Sequence, residues 1–179
     1  MCQESDIVNL IGATPVEPND IKNDEKHLQI MYNLLKHTDK ALASIARERK
    51  RIREMFDMIE IAVGDKEVLE DKHFILVGVC PASPLRFEKI PSETILEYAK
   101  RAQPIKIVPS IMSGVSGPIG LFGTAILQNA EMLAGLVLIQ MINPGNPVIF
   151  MPGSTVADMR TGAYLTGSPE GTLINIGNI

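Results

Sequence analysis

Cysteine is nearly missing from this chain: Cys2 and Cys80 are the only two in 179 residues. That scarcity fits a reducing, cytoplasmic setting. Neither cysteine stands at metal-ligand spacing from the three histidines, His27, His37 and His73, so no metal site is expected and all three are read as surface residues. Excess positive charge is also lacking. The formal net charge is −4, which excludes a binder that neutralises nucleic-acid phosphates with a basic face. The one dense basic run, Arg47 to Arg53, includes Glu48 and reads as a solvated helical face. The N-terminus lacks the basic start and apolar stretch of a secretory signal. The most apolar segment, Ile119 to Ile142, nearly reaches the length of a membrane span. It carries Gln128, Asn129, Glu131 and Gln140, however, and a carboxylate in mid-membrane is costly. A helix buried inside a soluble protein is expected there instead.

What is present is a rhythm. Short β-rich runs alternate with helix-length segments. The runs are Asp6–Ile11, Ala41–Ile45, Phe74–Val79, Ile105–Val108 and Val148–Met151. The helices are expected at Lys22–His37, with Asp20 as a plausible cap, at Arg49–Val63, at Glu93–Arg101 after Pro91-Ser92, from Pro118 to about Met141, and from Pro169 onward. A short acidic helix or turn is expected to end near Lys72. Most strand starts are about thirty to forty residues apart, the length of one βα unit. Strands apolar on both faces imply a parallel sheet covered by helices. A barrel and an open doubly wound sheet both satisfy this, and both put function at the C-terminal ends of the strands.

Four loops follow those ends. Gly12 to Asp20 is the first. In Cys80–Arg86 the prolines place Ser83 near the strand mouth, and Cys80 is expected to be packed and structural. The loop Ser113-Gly-Val-Ser-Gly-Pro-Ile-Gly120 holds the candidate binding residues Ser113, Gly114, Ser116 and Gly117. Ser116 or Gly117 would cap the next helix and Pro118 would open it, leaving amides that attract an anion. A plain tight turn explains the same residues equally well. Within that helix Glu131 interrupts an apolar run, and a buried carboxylate needs a partner or a proton. The last loop, Met151 to Tyr164, carries Asp158, Arg160 and Tyr164. Asp158 and Arg160 would hold the loop as a pair, or Arg160 would clamp a substrate carboxylate.

Several of these stretches, in this order, resemble the trimethylamine methyltransferase family. They are Met112-Ser-Gly-Val-Ser-Gly-Pro118, Gln128-Asn-Ala-Glu-Met-Leu-Ala-Gly135, Asn143-Pro-Gly-Asn-Pro147, Asp158-Met-Arg-Thr-Gly162 and Gly167-Ser-Pro-Glu170, with Cys80-Pro-Ala-Ser-Pro84 and Thr14-Pro-Val-Glu-Pro18 in the same style. The resemblance covers most of the chain.

It implies a partial TIM-type (β/α) barrel, about five βα units of eight, forming a single incomplete domain over residues 1–179. It also implies methyl transfer from a methylated amine, trimethylamine or a quaternary amine such as glycine betaine, to a cognate corrinoid protein. The corrinoid (cobalamin) belongs to that partner, and no cofactor is expected on this chain. A quaternary ammonium favours an aromatic face, and only Tyr164 falls in a candidate loop. A complete barrel takes about 250 residues. The family's catalytic position, pyrrolysine in the trimethylamine branch, is expected beyond Ile179, so the isolated chain is expected to be inactive. Open barrel edges would favour self-association or pairing with another chain.

Overall fold

The computed structural model describes residues 3–12, 18–44, 46–64, 68–69 and 72–177. Seven strands and five helices are named among them: β1 (Leu10–Ile11), α1 (Asn23–His37), β2 (Ala41–Ala43), α2 (Arg49–Val63), β3 (Ile75–Val79), α3 (Lys89–Ala99), β4 (Ile105–Ile107), β5 (Met112–Ser113), α4 (Leu121–Ile142), β6 (Val148–Phe150), β7 (Thr155–Val156) and α5 (Pro169–Ile176). The main sheet runs β1-β2-β3-β4-β6, with every neighbouring pair parallel. Strand order follows chain order without reversal. The sheet therefore lacks the switch point of a doubly wound fold, and right-handed crossovers in that order lay every helix on one face.

Two local signals explain the cleanest boundaries. Helix α2 ends where Gly64 takes a left-handed φ of +83° and its amide bonds the Glu60 carbonyl. Helix α5 begins where Ser168 accepts from the Gly171 amide and Pro169 takes the first turn. Elsewhere the expectations shift. Asp20 is not the cap of α1; Lys22 stands there without a side-chain bond. Helix α3 starts four residues before Glu93, because Pro91 fits inside a first turn whose amides need no helical partner. The strand expected from Asp6 is only Leu10–Ile11. Most of the Gly12–Asp20 loop, Ile45 and most of the acidic segment before Lys72 lie outside the described residues.

The core lies between the sheet and the helices. Ile75, Val77, Val79, Ile105 and Ile107 are wholly buried against Ile52, Phe56, Ile59, Ile95, Tyr98 and Met132. Phe56 and Tyr98 meet edge to face at 5.0 Å. The basic run is more than a solvated face. Glu97, 2% exposed, draws Arg49 and Arg53 from α2 and Arg101 from just beyond α3, with N–O distances of 3.0, 3.0 and 2.9 Å. Burial pushes the Glu97 carboxyl up, but hydrogen bonds from Arg53 and Arg101 outweigh it and hold the carboxyl below its ordinary value. Arg101 also lies 4.7 Å from the Phe56 ring centre. His27 departs from the surface reading as well: it is buried between α1 and α2 and meets Glu54 at 3.0 Å.

Helix α4 is long and apolar enough to span a membrane by composition. It is not wholly buried in the protein. One face, with Gln128, Glu131, Met132 and Ile139, packs inward; the opposite stripe of Phe122, Ile126, Leu133, Val137 and Met141 is exposed.

A row of prolines ends the ladder at one level. Pro81, Pro109 and Pro152 each stand two residues beyond the last paired residue of β3, β4 and β6. Proline has no amide to give, so pairing is interrupted there. The β4 and β6 chains then resume as β5 and β7, and Met112 faces Thr155 in the register that pairs Ile105 with Val148. Both short strands lie where the sequence predicts loop. The gap is bridged by Gln128, whose Oε1 accepts from the Gly153 and Ser154 amides at 3.2 and 2.9 Å, and by Ser154 Oγ, which accepts from the Ile111 amide at 3.1 Å.

Candidate active site at the C-terminal strand ends

The chain beyond that proline row forms a rim, and most of the expected site residues lie on it. The Ser113–Gly120 loop is a closed turn. Gly114, at φ +81°, needs a residue without a Cβ. Its amide bonds the carbonyls of Gly117 and Pro118, and the Val115 and Ser116 amides bond the Met112 carbonyl. Ser116 Oγ accepts from the Met112 amide at 2.9 Å, and the buried Ser113 hydroxyl reaches the carbonyls of Pro118 and Ile119 at 2.8 and 2.9 Å. The amides of Gly114, Val115 and Ser116 are therefore engaged within the turn, not presented to an anion. The helix cap is Gly120, not Ser116 or Gly117, and α4 opens at Leu121, not Pro118. The reason is the Pro118 carbonyl. It receives the Ser113 hydroxyl, the Gly114 amide and the Thr124 hydroxyl, and so stays bent into the turn.

Glu131 is buried and paired. It accepts from Ser83 Oγ and the Leu85 amide, both at 2.8 Å, and thereby ties the loop after β3 to α4. Asp158 and Arg160 do not form an ion pair. Asp158 Oδ1 accepts from the backbone amides of Thr161 at 2.9 Å and Arg160 at 2.8 Å, and these bonds hold the carboxyl below its ordinary value. The Arg160 side chain is exposed, with no ion pair among the described residues.

Tyr164 joins the strand ends. Ala157 bridges Tyr164 across the loop, and the Tyr164 hydroxyl donates to the Gly153 carbonyl. Burial raises its phenol above the ordinary value, a hydrogen bond with Ser110 opposes this, and the Cys80 charge adds to it. The Tyr164 hydroxyl thus meets Gly153 after β6, and the Ser110 side chain after β4 lies beside that glycine. Cys80 itself is exposed, against expectation, because it stands just past the end of β3, one residue beyond the buried Val79. Beside it Arg47 donates to the Gly78 carbonyl, at the edge where β2 has ceased to pair, and the two line a cleft with Cys80, Ile90, Pro91 and Thr94.

Two features of the site were not read from the sequence. One is the Gln128 bridge. The other is Lys106, on β4 beside the edge strand β6, between the buried Ile105 and Ile107, and so on the sheet face without helices. The signal was there: a charge in the middle of Ile-Lys-Ile inside an otherwise apolar run. Among the described residues no group of three His, Cys, Asp or Glu side chains stands close enough to hold a metal ion.

The model of the trimethylamine methyltransferase family matches residues 1–178. The chain belongs to this family. It is 37% identical to a glycine betaine methyltransferase of Desulfitobacterium hafniense over 163 residues, 91% of this chain and 34% of that relative. It is 38% identical to a proline betaine:corrinoid methyltransferase of Eubacterium limosum over 61% of the chain and 22% of the relative. With a trimethylamine methyltransferase of Methanosarcina thermophila it shares 36% identity over 63% of the chain and 23% of the relative. The chain thus matches about a third or less of the length of these curated relatives.

Proposed function

We propose that this chain forms an arc of a (β/α)-barrel methyltransferase whose rim holds a small methylated amine and presents one methyl group to a corrinoid protein. The observation that carries the reading is the meeting of Tyr164, Gly153 and Ser110 just beyond the C-terminal ends of the adjacent parallel strands β4 and β6. That is the end at which barrel enzymes carry their chemistry. Strand order in the sheet supports the barrel, since it follows chain order throughout.

The contribution of these residues is orientation. An ammonium group resting on the Tyr164 ring is attracted by the ring's negative face, and fixing it there turns an encounter into a positioned reaction. The C–N bond then breaks, its electron pair stays on the amine nitrogen, and the methyl group passes to the partner. The corrinoid is the partner's and supplies the methyl acceptor.

The test is a corrinoid-methylation assay with glycine betaine and with trimethylamine. The 179-residue chain alone is expected to show no turnover and to bind the amine at the rim. Turnover by the chain alone would overturn the first expectation. Tyr164→Ala binding either amine as well as the native chain would overturn the second.

A further inference from the structure

Helix α4 is in use on three of its sides. Inward, its Gln128 and Glu131 hold the rim. To either side it packs against α3 and α5. Its outer side presents Phe122, Ile126, Leu133, Val137 and Met141, each between 45% and 80% exposed. The outer side of α2 shows what solvent usually meets, with Lys50, Arg53 and Asp57 exposed. On α4 the one charged residue from Leu121 to Ile142 is Glu131, and it is buried and bonded.

The order of the exposed residues selects the partner. A helix stripe that meets its own copy across a two-fold axis must read alike in both directions. This one does. Phe122, Ile126 and Ala130 follow at steps of four, as do Leu133, Val137 and Met141, and the midpoint falls between Ala130 and Leu133. Antiparallel pairing about that midpoint sets Phe122 against the copy's Met141, Ile126 against its Val137 and Ala130 against its Leu133. Small thus meets large at the centre, where two helices come closest, and rows at i and i+4 are the ridges that interdigitate in the commonest helix packing. The stripe carries no charge, so nothing on it selects an acidic or basic partner. Asn129 is exposed beside the midpoint, where a protein can bond its amide and lipid cannot. Two such faces cover on the order of 1,200 Å², the lower end of stable protein interfaces.

We propose that a second copy of this chain docks on the outer face of α4, by antiparallel two-fold pairing of this helix with itself. The pairing covers the apolar stripe and braces the helix that carries Gln128 and Glu131 to the rim. Neither edge of the main sheet takes part, so this dimer differs from edge-to-edge association of incomplete barrels.

Sedimentation velocity of the full chain at micromolar concentration is expected to show a species of twice 19.6 kDa. Ile126→Glu and, separately, Val137→Glu should weaken pairing at least about tenfold, because each buries charges without partners. Far-UV circular dichroism should stay native, since both positions are exposed in the single chain. Ile126→Glu combined with Val137→Lys should restore the dimer. Within one chain these positions lie roughly 16 Å apart along the helix, so only a copy in antiparallel register brings the two charges together. A monomeric native chain overturns the proposal. A dimer that both single variants leave intact also overturns it and places the contact elsewhere, at the sheet edges first. Failure of the double variant to re-form the dimer overturns the two-fold register. Binding of a monomeric native chain to phosphatidylcholine vesicles overturns the proposal and assigns the stripe to a membrane.

Discussion

Glu97 and Lys106 make an instructive pair. Each brings a charge to the layer around the inner strands, on opposite sides of the sheet. Glu97, on the helical side, is surrounded by Arg49, Arg53 and Arg101. Lys106, on the bare side, has no partner among the described residues. The first charge serves the fold, since its partners come from α2 and α3 and join the two helices. The second is only half-buried, beside the exposed Ile149, and joins no element to another.

The contrast is open to measurement. The largest effect is expected from Glu97→Ala, which leaves three arginines facing one another around an emptied site. Loss of one partner of a buried pair costs about 3–5 kcal/mol; because these arginines are partly solvated, about 2–3 kcal/mol is expected from urea unfolding. The same carboxyl gives a pH signature. Its folded value lies below its unfolded one, so its contribution is fully present above the ordinary glutamate range and is lost as pH falls through and below that range. Stability curves of the native chain and Glu97→Gln should therefore converge toward acid pH, and parallel curves would count against the pairing.

Next in size comes Glu131→Ala. It leaves the Ser83 hydroxyl and the Leu85 amide without an acceptor, and about 1–2 kcal/mol is expected. Faster amide exchange through the Cys80–Arg86 loop should accompany it. The smallest effect sharpens the comparison most. Lys106→Met should change stability by no more than about 0.5 kcal/mol, and a loss as large as that of Glu97→Ala would make Lys106 a structural residue after all.

The rhythm of strands and helices was legible because parallel strands buried on both faces must be apolar runs, and because α2 carries both its stripe and its stop, Gly64. Local chemistry was legible where one residue acts on its neighbours, as at Ser168 and Pro169. What escaped depends on partners distant in sequence. Glu97 finds Arg53 across 44 residues, and Glu131 finds Ser83 across 48. His27 looked like a surface residue until α2 brought Glu54 to it. Pro118 looked like a helix start because nothing local shows that its carbonyl is held by Ser113 and Thr124. Cys80 follows a buried run and reads as packed, but the strand ends at Val79 and leaves it exposed.

The row formed by Pro81, Pro109 and Pro152 has a consequence for change over time. Below it, each strand is bound to its neighbours by a ladder that tolerates no inserted residue, since a slip of one would turn every side chain to the wrong face. Above it, the backbone has been released at the same height on three strands. Side chains can be exchanged there without the main ladder registering the alteration, while the β5–β7 pair keeps the register of the strands below. The prolines thus divide the molecule into a foundation that must be inherited intact and an upper storey that can be rebuilt for a new substrate.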